Sequence, residues 1–110
     1  MTAEEIGELT LQVLQDNGCD KANREALVRT IVAAECDGAL SHGLFRIPSY
    51  VASLRSGKVD GHSDPKVDNH LPAIVRVDGD NGFAPLAIER GIPHLVAAAR
   101  NLAVGIMAIA

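Results

Sequence analysis

The sequence predicts an α/β fold in which N-terminal helices pack on part of a sheet. Residues 1–38 hold two capped segments whose apolar positions recur three and four apart, the period of helices buried on one face. Ile74-Val-Arg-Val77 is a short β-branched run closed by the turn-rich Asp78-Gly-Asp-Asn-Gly82. A helical stretch then leads into a second apolar run, Val104-Gly-Ile-Met-Ala-Ile-Ala110.

The elements follow in order. Thr2-Ala-Glu-Glu5 has the form of a capping box, Thr2 and Glu5 each satisfying a free backbone N–H, and Ile6, Leu9, Val13 and Leu14 form the stripe of a first helix that Asn17-Gly18 stops. Asp20 caps a second helix running to about Gly38, with Leu27, Ile31 and Ala34 as its stripe and Ala26 beside it. A short link makes the two an antiparallel pair. Pro48 would crowd the carbonyl of Leu44 inside a longer helix, so the third helix starts at Pro48 and residues 41–47 form a structured lead-in. Leu44, Ile47, Val51 and Leu54 share one face there, opposite His42, Arg46, Ser49, Tyr50 and Ser53. Residues 1–55 form this helical region. Residues 56–73 show no period and read as a long ordered loop. Ala84, Ile88, Gly91, Leu95, Ala98 and Leu102 form a helical stripe that Pro93 breaks in two, and the final run is a buried strand.

Composition excludes several functions. With 47% apolar and 22% charged residues over 110 positions, the chain is not disordered. A formal charge of −4 with 3% aromatics offers neither a footprint for nucleic acid nor platforms for stacked bases. No apolar run reaches the ~18 residues of a membrane span, and Met1–Thr10 lacks a signal-peptide pattern, so the expectation is a cytoplasmic protein with no nucleic-acid or membrane partner. Cys19 and Cys36 lack zinc-site spacing, and Cys36 lies between Glu35 and Asp37, which disfavours a thiolate.

Candidate chemistry narrows by elimination. Asp78, Asp80 and Glu89 occupy the first, third and twelfth places of a calcium loop, but Gly82 falls where a ligand is needed and Phe83 where glycine is, so the segment is a turn. The imidazoles and carboxylates of residues 62–70 are too widely spread for a metal set, and no metal is expected. His94 reads as a packing or surface histidine. No Gly-x-Gly-x-x-Gly or Walker pattern occurs. What remains is Ser41-His42-Gly43 with Arg46 and Tyr50. His42 exchanges protons near neutral pH, Arg46 offers a fork matched to a carboxylate, Ser41 can hold the imidazole or a substrate oxygen, and Gly43 admits a ligand to the backbone. On the residues alone, a serine cap followed by a surface histidine accounts for the same pattern.

Ser41-His-Gly-Leu-Phe-Arg-Ile-Pro-Ser-Tyr-Val51 resembles the signature near the N-terminus of the malate/L-lactate dehydrogenase-like oxidoreductases, NAD(P)H enzymes unrelated to the Rossmann-type lactate dehydrogenases. Gly57-Lys58-Val59 and Val77-Asp-Gly-Asp-Asn-Gly-Phe83 extend the resemblance, and Gly82-Phe-Ala-Pro-Leu-Ala-Ile-Glu-Arg-Gly91 is most similar to the branch that reduces cyclic imine acids. The resemblance implies that His42 is the catalytic proton-exchanging residue and touches the cofactor, NADPH or NADH. It implies that Arg46 grips the substrate carboxylate and that Ser41 helps place the substrate. The implied reaction reduces small 2-oxo or cyclic 2-imino acids, Δ1-pyrroline-2-carboxylate or Δ1-piperideine-2-carboxylate to L-proline or L-pipecolate. A malate/L-lactate-type 2-hydroxyacid dehydrogenase is the alternative within the family, and a small non-catalytic interaction module the alternative outside it.

Family chains are about three times as long, a size of two or more domains. The expectation is therefore an incomplete piece of a larger non-Rossmann oxidoreductase fold, with residues 74–110 beginning the catalytic and cofactor domain. Such a piece is inactive alone and needs a second polypeptide to supply the remaining fold, a homo-oligomer, or both.

Overall fold

The computed structural model describes residues 1–110 apart from the side chain of His70. Helix α1 (Ala3–Asp16) starts where the Thr2 hydroxyl accepts from the Glu5 N–H at 3.1 Å, and α2 (Lys21–Cys36) where Asp20 accepts from the Asn23 N–H at 3.0 Å. These caps satisfy N–H groups that a helix start leaves free. The two helices fold back on each other across residues 17–20, burying Ile6, Thr10 and Leu14 of one against Ala26, Leu27 and Ile31 of the other. Leu9, expected in the α1 stripe, is 44% exposed. Two 3-10 turns, Leu40–His42 and Leu44–Arg46, then lead into α3 (Ile47–Arg55), which carries Pro48 in its first turn, where the missing N–H costs nothing.

The sheet has the order β1-β2-β3, with β1 (Lys66–Leu71) antiparallel to β2 (Ile74–Asp78) and β3 (Ile106–Ile109) parallel to β2. Helix α4 (Ala84–Leu102) makes the crossover and covers one face. Val67, Val75, Val77 and Met107 point toward it, around Ala87. Gly91 allows that approach, because a Cβ there would collide with the Met107 sulfur. On the other face Lys66 stands opposite Asp78 and Asp68 opposite Arg76, all exposed. A second core joins Leu14, Cys19, Leu27 and Phe83, with Tyr50, Leu54 and Val59 packed around it. The buried Asn23 amide ties this core to residues 61–63, donating to the Ser63 carbonyl at 2.9 Å while its own carbonyl accepts from the Ser63 hydroxyl at 3.1 Å. No helix is long and apolar enough to cross a membrane among the described residues.

Four expectations are corrected. Residues 56–73 are not one loop, since β1 occupies Lys66–Leu71; its Asp and Asn disfavour a strand locally, and pairing with β2 overrides that preference. Helix α4 runs unbroken through Pro93, because Leu86, Ala87, Gly91 and Ala98 bury it along the sheet and α2, and this packing outweighs the ~3 kcal/mol that an interior proline costs. Its buried stripe is also rotated, leaving Ile88 and Leu102 exposed. Strand β3 is not buried: Ile106 is 56% and Ile109 40% exposed, because among the described residues α4 covers only one face and β2 only one edge.

Candidate functional site

The two 3-10 turns carry Ser41, His42 and Arg46. Each turn is closed by a backbone bond, His42 N–H to the Ala39 carbonyl at 3.0 Å and Arg46 N–H to the Gly43 carbonyl at 2.9 Å, so the stretch is two short turns rather than one helix. Ser41 links the chemistry. Its hydroxyl lies 2.8 Å from His42 Nδ1, and its carbonyl accepts from Arg46 Nε at 3.0 Å. A hydroxyl donating to Nδ1 leaves the neutral imidazole proton on Nε2. The Arg46 bond uses the Nε edge, while the two terminal guanidinium nitrogens make no protein hydrogen bond among the described residues. That pair of nitrogens is the fork that binds a carboxylate. All three residues are exposed.

Beneath the turns lies Glu35, in the last turn of α2. Its carboxylate accepts from the Leu44 N–H at 2.7 Å and occupies the space that a Cβ at Gly43 would need. With Leu40, Ser41, Leu44 and Phe45 it lines an open depression beside the signature, whose rim includes Phe45 at 76% and Leu40 at 64% exposure. Glu35 escaped the sequence reading. A signal was present, since a carboxylate at a helix C-terminus opposes the helix dipole and needs a compensating partner.

Other candidates separate from this site. Tyr50 packs its ring edge-on against Phe83, centroids 5.1 Å apart, and belongs to the core rather than to the signature. Asp64 is held by Lys66 and Arg90, whose hydrogen bonds, Lys66 first, lower its pKa below the ordinary carboxylate value. Glu89 accepts both Nε and Nη2 of Arg29 at 2.8 and 2.6 Å, linking α4 to α2, and that bond lowers its pKa as well. Asp80 turns its carboxylate to the Asp64 N–H, and Asp78 accepts from the Asp80 N–H. The turn itself is built on the left-handed Asp80 and Asn81. His62 stands 4.0 Å from Asp20, and His94 Nδ1 lies 3.3 Å from the Asn69 amide. The side chain of His70, the last member of the 62–70 cluster, lies outside the described residues. Burial, then the Asp20 charge, push the Cys19 thiol up to about 11 against the opposing effect of Arg24, so it is inert at neutral pH.

An exposed imidazole with one nitrogen engaged, beside a guanidinium with its fork unoccupied by protein, can hand a proton to a small acid held by its carboxylate. The chain also matches known proteins along its whole length. It is 41% identical over 109 residues to the Δ1-pyrroline-2-carboxylate reductase of Ancylobacter novellus, covering 99% of this chain and 32% of that relative. The solved structure of Δ1-piperideine-2-carboxylate reductase from Pseudomonas syringae superposes with a TM-score of 0.94 at 37% identity, over 99% of this chain and 33% of that one. A (2R)-3-sulfolactate dehydrogenase (NADP(+)) of Chromohalobacter salexigens is 36% identical, over 100% of this chain and 32% of that relative. The chain thus spans about a third of the length of the relatives it matches. The family profile described as malate/L-lactate dehydrogenase covers residues 1–110 from end to end, and it is to that family that the chain belongs.

Proposed function

We propose that this chain supplies the proton-exchanging and carboxylate-binding part of an NAD(P)H-dependent reductase of small 2-oxo or cyclic 2-imino acids, with Δ1-pyrroline-2-carboxylate and Δ1-piperideine-2-carboxylate as the favoured substrates. The observation that carries the reading is the double use of Ser41, which holds the His42 ring by its hydroxyl and the Arg46 guanidinium by its carbonyl. Arg46 grips the substrate carboxylate with its terminal nitrogens, fixing the reacting carbon and lowering the entropic cost of reaction. Reduction of C=N adds a hydride to carbon and a proton to nitrogen. His42 in its protonated form delivers that proton from Nε2 and is left as the neutral ring, a contribution of ~10²–10⁴-fold for a positioned acid. The Ser41 hydroxyl beside Nδ1 orients the ring for this transfer.

The nicotinamide, NADPH or NADH, supplies the hydride when bound. His42, exposed beside the open depression at Ser41, would face the reacting end of such a cofactor. The chain spans about a third of its relatives' length, and we infer that the bulk of the dinucleotide is held by the rest of the complete fold. The same completion covers the open sheet. A radius of gyration of 15.1 Å exceeds the ~13 Å of a compact domain of about 100 residues; Ile106 and Ile109 of β3 are exposed, as are Ile88, Ile92 and Val96 on the outer side of α4. We infer that the remaining fold docks there, as a second polypeptide segment or within a homo-oligomer, and that the cytoplasm is the setting. A 2-hydroxyacid dehydrogenase is the second reading, favoured by the sulfolactate relative.

The test mixes this chain with the segment corresponding to the rest of its relatives and follows NADPH absorbance with pyrroline-2-carboxylate, pyruvate and oxaloacetate. Turnover with the cyclic imine, abolished by His42→Ala, is expected. Full turnover by His42→Ala overturns the proton assignment, and preference for oxaloacetate or pyruvate selects the second reading.

A further inference from the structure

We propose that Glu35 is the positioning residue that sets the geometry between His42 and Arg46, an inference that rests on the proposed role of those two residues. The break between the two 3-10 turns falls at Gly43, and whatever fixes that break fixes the angle between the residues on either side. Glu35 does so twice. Its carboxylate accepts the Leu44 N–H, the first N–H of the second turn, which would otherwise lack a partner. It also packs against the bare Cα of Gly43, so closely that a methyl group there could not coexist with it. The carboxylate comes from the last turn of α2, a helix anchored in the core by the fully buried Leu27 and Ile31. A charge-assisted bond from this helix to the hinge of an exposed loop keeps donor and fork in register before substrate arrives. Glu35 touches neither His42 nor Arg46 by a hydrogen bond among those described; it acts through the Gly43–Leu44 backbone.

Kinetics of the completed enzyme and spectra of the chain itself test the proposal together. Glu35→Ala is expected to lower kcat/KM on the order of a hundredfold, the cost of misplacing reacting groups by about 1 Å, with kcat falling as well as KM rising. Glu35→Gln, which keeps the acceptor oxygen, retains most of the activity. Gly43→Ala displaces the carboxylate and reproduces the loss with Glu35 intact, yet adds little to Glu35→Ala, because both remove one contact. In the 15N-labelled chain, Glu35→Ala moves the Leu44 amide and the His42 and Arg46 side-chain resonances, while Glu35→Gln leaves them near their original positions. Wild-type kcat/KM in Glu35→Ala, or additive losses in the double variant, overturns the proposal. Should His42→Ala prove fully active, the functional reading fails separately, and unmoved His42 and Arg46 resonances in Glu35→Ala then overturn the positioning role by themselves. If Glu35→Ala does not fold, the Glu35→Gln and Gly43→Ala pair decides in the same way.

Discussion

The core beneath α1 and α2 and the signature above it are held by different physics. Leu14, Leu27 and Cys19 are almost fully buried, and Asn23 and Ser63 satisfy each other inside the same region. Ser41, His42 and Arg46 are exposed and held by backbone bonds, one hydroxyl and one carboxylate from below. Folding free energy is thus concentrated away from the residues proposed to react, and these rest on a scaffold that does not need them. Substitutions should divide accordingly, some moving stability alone and others activity alone.

The largest effect is expected at the signature. In the completed enzyme His42→Ala should cost ~10²–10⁴-fold in kcat/KM. The same substitution should change the unfolding free energy of the chain, read by urea titration, by no more than about 0.5 kcal/mol, as for other exposed positions. A comparable loss of stability would erase the distinction between the two regions. Leu27→Ala should do the converse and cost about 2–5 kcal/mol in urea unfolding, since the side chain is fully buried.

Much of this division was legible in the sequence. The Thr2 and Asp20 caps, a helix start within one residue of Pro48 and the turn at Asp78–Gly82 follow from local rules of capping and proline sterics, whereas the trio at 41, 42 and 46 was singled out by the family resemblance and its roles remain a proposal. What escaped depends on partners distant in sequence. Strand β1 exists because β2 pairs with it, α4 survives Pro93 because the sheet and α2 hold it, and Tyr50 leaves the signature because Phe83 receives its ring. Glu35 was missed for a related reason, its partner Leu44 lying in a backbone whose two-turn shape no periodicity encodes.

Smaller effects sharpen the comparison at its edges. Ala103 closes α4 in the left-handed region at φ 66°, so Ala103→Gly should raise stability by about 1 kcal/mol, read as a higher Tm. Phe45→Ser should leave the isolated chain within about 0.5 kcal/mol of wild type. A marked loss of activity in the completed enzyme from that change would mean that this ring is covered in the complete fold. The Arg29–Glu89 pair joins α2 to α4 at the surface. Because folding lowers the Glu89 pKa, its stabilisation is present above the ordinary carboxylate range and is lost as pH falls through the lowered value. The stability difference between wild type and Arg29→Ala should therefore be about 0.2–1 kcal/mol at neutral pH, and should vanish in acid and shrink in high salt.

The unequal burial of the two cysteines has a practical consequence. Cys19 is sealed in the core with a thiol held protonated to about pH 11, whereas Cys36 is exposed one residue beyond Glu35. A maleimide dye at neutral pH would therefore attach at a single place without any engineering, and its emission would report changes around the end of α2, one residue from the Glu35 anchor.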